Sequence, residues 1–366
     1  MGAVHAAKEL PGASTRPAHG WEPVTLPDNW TTHWPGYSGV VWYRIRLNQD
    51  CTAAQEAREP VALLAMSINM AGEVYLNDTL LWRDASLQPP RSRSWNTPRY
   101  WILPQAAMQT AGNAIWIRIH GEALVQPGLG TIRIGAAAPL LALHEQFVWS
   151  NRTIFKINMI GTLFITALFS GIWLLNRKQS VHGWFAALNL AWAVFIYNVI
   201  ATDHWPFQEA ASVARFNAIA FMVFCSCYCI FIFELQGRAL PQRLQRGLLT
   251  LTLAMSLLVA LIAEKHLEAT LSLGTISHML AFTIASIAPL VYAWRSRSIK
   301  GLLPALPGLV TLGIAVHDLI IYLRNTPEPV TLAPYTSLLT MIVITGVLGA
   351  RIAASMRRTE RFNVEL

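Results

Sequence analysis

The chain has 366 residues, 54% of them hydrophobic and only 13% charged, with a mean hydropathy of +0.38 and a formal net charge of +8. That apolar excess fits a membrane protein with one soluble portion better than a globular enzyme. The basic residues flank apolar segments instead of forming one patch, so nucleic acid is not the expected partner.

Residues 1–20 are a mixture of Pro, Ala, Gly and His with no apolar core of a signal peptide, and read as a disordered N-terminal segment. The other end, residues 356–366, is a polar helical stub without a stop signal. Together they lead us to expect a signal peptide upstream and an output module downstream.

Residues 21–138 carry short alternating runs bounded by Pro, Gly, Asn and Asp: Val40–Leu47, Val61–Met66, Gly72–Asn77, Thr79–Arg83, Asn113–His120 and Gly130–Ile134. Ile115, Ile117 and Ile119 fall on one face of their strand, Trp116 and Arg118 on the other, as in a half-buried antiparallel sheet. Asn77-Asp78 suits a tight turn between strands. The expectation is a β-sandwich. Its longest loop, Asp84–Tyr100, offers Arg91, Arg93, Trp95, Arg99 and Tyr100, donors and aromatic faces of the kind that bind sugars or anions, with Trp34 as a companion from the early loop. The competing readings are that the aromatics plug the ends of the sandwich, or that the basic loop meets lipid headgroups or the membrane domain itself. Cys51 is alone in this portion, so no disulfide framework is expected.

Residues 139–150 form a connector in which Leu140–Trp149, free of Gly and Pro, reads as a rigid helical lead. Residues 151–355 then show seven apolar segments near Thr153–Leu175, Trp184–Ala201, Phe216–Leu235, Gly247–Ala263, Thr270–Trp294, Leu302–Leu323 and Leu332–Ile352. Each is about the ~20 residues that a bilayer demands. Arg177, Lys178, Arg243, Arg246, Arg295, Arg297, Arg357 and Arg358 lie in loops of one parity, while Asp203, Glu209, Glu264, Glu268 and Glu328 lie in the other. This asymmetry places the N-terminal domain outside and the C-terminus in the cytoplasm. Cys225, Cys227 and Cys229 read as small core residues.

Polar groups within the apolar segments are costly and therefore informative. Asp318, His317, His278, Asn198, Asn158 and Asn217 fall at similar depth and are candidates for an intramembrane polar pocket. The competing reading for the asparagines is helix–helix hydrogen bonding. His317 and Asp318 point about 100° apart on a helix and are not expected to share one neighbour. The last segment has no lysine for a Schiff base, and neither a nucleophile–base constellation nor repeated halves is visible, so no enzyme, retinal protein or transporter is expected. No cofactor and no metal are expected either. Ile352, Ser355, Thr359, Phe362 and Leu366 follow a 3-4-3-4 spacing that would bring two copies together as a homodimer.

The order of LPDNW (Leu26–Trp30), WYRIRL (Trp42–Leu47), AGEVYLND (Ala71–Asp78), WILP (Trp101–Pro104) and AGNAIWIRI (Ala111–Ile119) resembles the galactose-binding-type jelly roll that precedes the catalytic domains of some glycosidases. Followed by seven membrane segments, the chain resembles the bacterial 7TM receptors with diverse intracellular signalling modules that carry the type 2 extracellular domain. Asp78 departs from the related pattern, which has Gly after Asn. The resemblance implies an α+β multidomain protein of the inner membrane: a periplasmic jelly-roll sensor domain on a seven-helix bundle, surrounded by membrane lipid. It implies a periplasmic cue, with glycans a favoured ligand class, and an output module that is most often a histidine kinase. The alternatives are a diguanylate cyclase output, or a carbohydrate-binding membrane scaffold without signalling.

Overall fold

A computed structural model describes the chain apart from residues 1–2, 11, 14, 48–58, 111, 296–305, 324–331 and 366. Cys51, Arg297 and Glu328 therefore lie outside the described residues. The chain divides into two compact units. The first comprises Met1–Phe155 together with Asn198–Ala214; the second comprises Lys156–Tyr197, Arg215–Arg324 and Val330–Leu366.

The first unit is built on twelve strands among the described residues: β1 (Val4–Lys8), β2 (Glu22–Pro23), β3 (Asp28–Asn29), β4 (Gly39–Arg46), β5 (Val61–Ala65), β6 (Ile68–Asn69), β7 (Ala71–Leu76), β8 (Thr79–Arg83), β9 (Arg99–Ile102), β10 (Ala114–Gly121), β11 (Gly128–Leu129) and β12 (Ile132–Ala136). A six-stranded antiparallel sheet runs in the order β2-β1-β4-β10-β7-β8. Two three-stranded sheets, β3-β11-β6 and β12-β5-β9, supply the opposing core residues. Ile117 stands opposite Tyr43 on one side and Val74 on the other. With Ile45, Ile115, Ile119 and Leu63 these residues form a closed apolar core. The alternation in β10 thus does what period two predicts, and Asn77 turns the β7–β8 hairpin with φ 53°.

The expectation of disorder over residues 1–20 is corrected: Val4–Lys8 is an inner strand, hydrogen-bonded to β4 along its whole length. Ala6 and Ala7 are fully buried, their small side chains fitting beneath neighbouring layers. Expected strand Gly130–Ile134 is also redrawn, as β11 and β12 on either side of Gly130. β5 (VALLA) is buried at every position, because Val61, Leu63 and Ala65 enter the sandwich core while Ala62 and Leu64 meet helix α1 (Ala137–Val148). A strand covered on both faces loses its alternation.

Helix α1 continues through a π-type turn (Trp149–Thr153) into α2 (Ile154–Leu175) without a break. α3 (Ser180–Ile200), α4 (Ala210–Leu235), α5 (Gln242–Leu261), α6 (Leu267–Arg295), α7 (Leu306–Leu323) and α8 (Ala333–Glu365) follow. Among the described residues, six helical stretches are long and apolar enough to cross a membrane: Ala137–Leu175, Ser180–Ile200, Ala210–Leu235, Gln242–Leu261, Glu264–Ala288 and Ala333–Ala354; α7 adds a shorter apolar stretch, Gly308–Asp318. The chain is an α+β membrane protein by architecture. α4 is the most enclosed helix, and Cys225, Cys227 and Cys229 are all buried in its surroundings, including Cys227. α8 runs on through the C-terminal stub, where the side chains of Ser355, Thr359, Phe362 and Leu366 lie outside the described residues.

Candidate functional site

Asp84 organises the long loop from its first residue. Its carboxylate accepts from Gly72 N–H (2.9 Å) and Ser94 Oγ (3.2 Å), and pairs with Arg99 (3.4 Å). Burial pushes this carboxyl above the usual range, against the pull of Arg99 and of both hydrogen bonds. Burial likewise lowers the Arg99 pKa, and the Arg99 guanidinium lies 4.4 Å over the Trp82 ring.

Arg91, Arg93, Asn96 and Tyr100 each bind another part of the protein. Arg91 pairs with Glu122 (2.5 Å), and Tyr100 Oη donates to Ala137 O (3.0 Å). Arg93 N–H donates to Thr202 O (2.9 Å), and its guanidinium donates to Asn198 Oδ1 (2.8 Å). Asn96 donates to Asn151 O (2.6 Å), while Arg152 donates to Val199 O and Ile200 O (3.2 and 2.7 Å). Trp95 is half-buried. The loop is thus a clamp on the end of α3 and the segment that follows it, with Arg152 of the π-type turn gripping the same α3 end. His204, in that segment, is buried; its pKa is lowered by burial and by Arg93. Trp34 belongs to another cluster, with Tyr37 and with Lys8 Nζ 5.5 Å over its ring.

The sequence gives no hint of a second polar network, on the outer face of the six-stranded sheet. Glu73 is fully buried between Arg83 (2.6 Å) and Arg118 (3.0 Å), and Arg118 also grips Glu9 (2.6 Å). Trp42 Nε1 donates to Glu9 (2.6 Å). Arg16 pairs with Asp78 (2.7 Å) and lies 4.6 Å over Trp116. These contacts hold the N-terminal segment across the sheet. Their partners lie up to 109 positions apart in sequence, which no local pattern reveals.

The intramembrane candidates do not converge on one pocket. Asn198 belongs to the Arg93 clamp. Asn158 Nδ2 donates to Pro334 O (2.8 Å) and Ser337 Oγ (2.6 Å), and its Oδ1 accepts from Trp192 (3.1 Å), tying α2 to α8 and α3. His278 is buried; Nδ1 donates to Gly274 O (2.8 Å) and Nε2 lies 3.1 Å from Thr252 Oγ1, which meets Ser226 (2.6 Å). Asp318 accepts from Leu332 N–H and Ala333 N–H (3.0 Å each), capping α8 through its carboxylate as a helix N-terminus favours. His317 Nδ1 lies 2.9 Å from the same carboxylate, so the pair meets despite its angular separation on the helix. Asn217 Oδ1 is buried without a partner among the described residues. Arg215 donates to Val259 O and to Ile262 O (2.7 Å), closing the C-terminal end of α5.

Beside these bonds lies a cavity of about 230 Å³ bounded by α3, α4, α6, α7 and α8. Its wall is almost wholly apolar. Trp192, Phe224 and Phe282 follow one another around it, with ring centroids 5.1 and 6.2 Å apart, and Tyr228 lies 4.3 Å from Phe282. Asp318 and Asn189 also line it.

No protein-family model matches the chain, and no curated protein matches it in sequence. Among solved structures, it is similar to a glycosyl hydrolase family 2 member from Bacteroides cellulosilyticus at 18% identity, over 37% of this chain and 20% of that one, with a TM-score of 0.28. A β-glucuronidase from Bacteroides uniformis matches at 14% identity over 36% and 17%, TM-score 0.27, and one from Faecalibacterium prausnitzii at 18% over 32% and 20%, TM-score 0.25. The chain spans a fifth or less of those three proteins. A likeness this slight carries no argument, and the sandwich rests on the strand pairing above.

Proposed function

We propose that this chain is the input region of a transmembrane signal receptor, with the β domain as an exported sensor and the helices as the relay. The observation that carries the reading is the double hold of the β domain on helix-linking segments. Its sheet packs on α1, which continues unbroken into α2, and its Arg93 grips the α3–α4 segment at Asn198 and Thr202. A ligand that shifts the long loop therefore moves the ends of three apolar helices at once. The motif order supports kinship with the 7TM receptors of diverse intracellular output, a periplasmic location and a glycan cue. The basic loops of one parity support a cytoplasmic C-terminus, and the resemblance supports a histidine kinase or a diguanylate cyclase as the output it drives. On this reading the chain itself performs no catalysis.

The test uses the full chain in nanodiscs with a panel of neutral and anionic glycans. Ligand at 100 times its Kd should stabilise by about 2.7 kcal/mol, a readable melting shift. The receptor reading expects the same ligand to change hydrogen exchange across Asn198–Ala214, and Arg93→Ala to uncouple the two effects. Melting shifts with unchanged exchange in that segment would favour a carbohydrate-binding scaffold. Silence across the whole panel would end the glycan assignment.

A further inference from the structure

The outer face of the six-stranded sheet carries two neighbouring rows of side chains that differ in charge balance. In one row, Trp42, Arg118, Glu73 and Arg83 stand side by side, and the cations are matched by Glu73 and Glu9. Despite burial, those two carboxylates raise the pKa of Arg118. The other row, His5, Arg44, Trp116 and Tyr75, contains no acid. Arg46 lies two positions further along β4 on the same face, since Tyr43 and Ile45 point into the core. Among the described residues, the side chains of Arg44 and Arg46 have neither an ion pair nor a hydrogen bond. Burial, and then the charge of Arg46, lower the Arg44 pKa, with no carboxylate acting against them. Rings hold the Arg44 guanidinium instead, 5.0 Å over Trp21 and 5.8 Å over Trp116. Arg16, 4.6 Å over the same Trp116 ring, has Asp78 as its acid partner, and that side chain is 87% exposed.

We propose that Arg44 and Arg46, with Arg16 beside them, form a binding site for an acidic glycan and grip its uronate carboxylates. Two arginines whose Cα atoms stand about 7 Å apart on one strand face repel each other, and an aromatic ring fixes a cation without cancelling its charge. An anionic ligand relieves that repulsion, and each guanidinium fork matches a carboxylate bidentately. Trp21 and Trp116 are only half-buried, so the sugar ring meets apolar surface beside the charges. The proposal rests on the reading of the β domain as an exported glycan sensor, and adds the charge of the glycan and its place.

The experiment is calorimetric titration of the full chain, in neutral phosphatidylcholine nanodiscs, with trigalacturonate and with maltotriose as the uncharged probe of equal length. Trigalacturonate should bind saturably and maltotriose should not. The double variant Arg44→Gln/Arg46→Gln should weaken trigalacturonate binding about tenfold or more, as the loss of charge-assisted hydrogen bonds requires. Arg46→Glu alone, at an exposed position outside the ring stack, should weaken it as well, which covers the case that the double variant loosens the sheet. Arg243→Gln/Arg246→Gln removes the same charge from exposed positions of α5 and should leave binding unchanged. Equal losses in the two double variants, binding indifferent to Arg46→Glu, or no trigalacturonate binding would each overturn the site. So would capture by phosphatidylglycerol vesicles in place of trigalacturonate, which would make lipid phosphate the ligand. Maltotriose binding without trigalacturonate binding would remove the acidic site and leave the glycan sensor standing. Trigalacturonate binding that depends on Arg44 and Arg46, with unchanged hydrogen exchange across Asn198–Ala214, would uphold the site and remove the relay.

Discussion

The two regions of this molecule use the same apolar residues against different surroundings. In the β domain, Ile115, Ile117 and Ile119 are fully buried while Arg118 and Trp116 between them face outward. In the helices, Ile160 (66%), Phe164 (69%), Leu253 (62%) and Ile276 (66%) are exposed, and equally large residues such as Phe169 and Phe231 are buried. A helix apolar all round belongs to a lipid environment, where the outer face needs no polar residues. Water selects which side chains go inside the sandwich; lipid makes no such selection. Inside the bundle, discrimination passes to polar contacts such as Asn158–Ser337 and Asp318 with the α8 N-terminus.

The largest test of this contrast is Ile117→Ala. Removing the side chain from a sealed core with water as the alternative should cost about 3–4 kcal/mol, from lost transfer energy and a residual cavity. Denaturant-dependent proteolysis of the full chain in nanodiscs, read at cleavage sites in the β domain, measures it. A loss below about 1 kcal/mol would mean that the two regions do not differ as described.

Acid offers the next largest effect, led by His120 of the β domain, with buried His204 of the α3–α4 segment shifted in the same direction. His120 is buried, and burial, assisted by Arg118 and Arg91, lowers its pKa from 6.5 to about 4, with Glu73 and Glu9 opposing. The folded chain keeps this imidazole neutral while the unfolded chain takes up a proton below pH 6.5. The unfolded state then binds more protons, so stability falls from about pH 6.5 down to about pH 4, by about 3 kcal/mol in total. His120→Gln should flatten that slope. Glu73 does not confuse the reading: burial alone would raise its carboxyl, yet Arg118 and Arg83 hold it below its ordinary 4.5, so its contribution is lost only at still lower pH.

What was legible in the sequence follows the same divide. Period-two alternation in β4 and β10 exposes the sandwich because one face meets water, and the length of the apolar runs exposes the helices. β1 escaped, since an Ala-rich run of five residues carries little strand propensity and is recruited by its pairing with β4. The loop arginines stood out by type, but their partners could not be read locally. Arg93 and Asn198 were candidates for two different sites, and the fold joins them across 105 positions. Asp318 reads in the sequence as a costly intramembrane charge; its capping of α8 depends on where a separate helix begins.

The smallest predicted effect gives the sharpest form of the comparison. Ile160→Ala repeats the chemical change of Ile117→Ala on a helix face that is 66% exposed. In lipid that side chain leaves one hydrocarbon environment for another, so the transfer term nearly vanishes, and acyl chains fill the space so that no cavity remains. Alanine also favours the helix slightly over β-branched isoleucine. The net change in the full chain in nanodiscs should stay within about 0.5 kcal/mol, against about 3–4 for Ile117→Ala. A loss at Ile160 as large as that at Ile117 would place a protein surface, such as a second copy of the bundle, against α2. A small loss leaves lipid as its neighbour, and the ratio of the two values then measures how far the hydrophobic effect itself separates one region from the other.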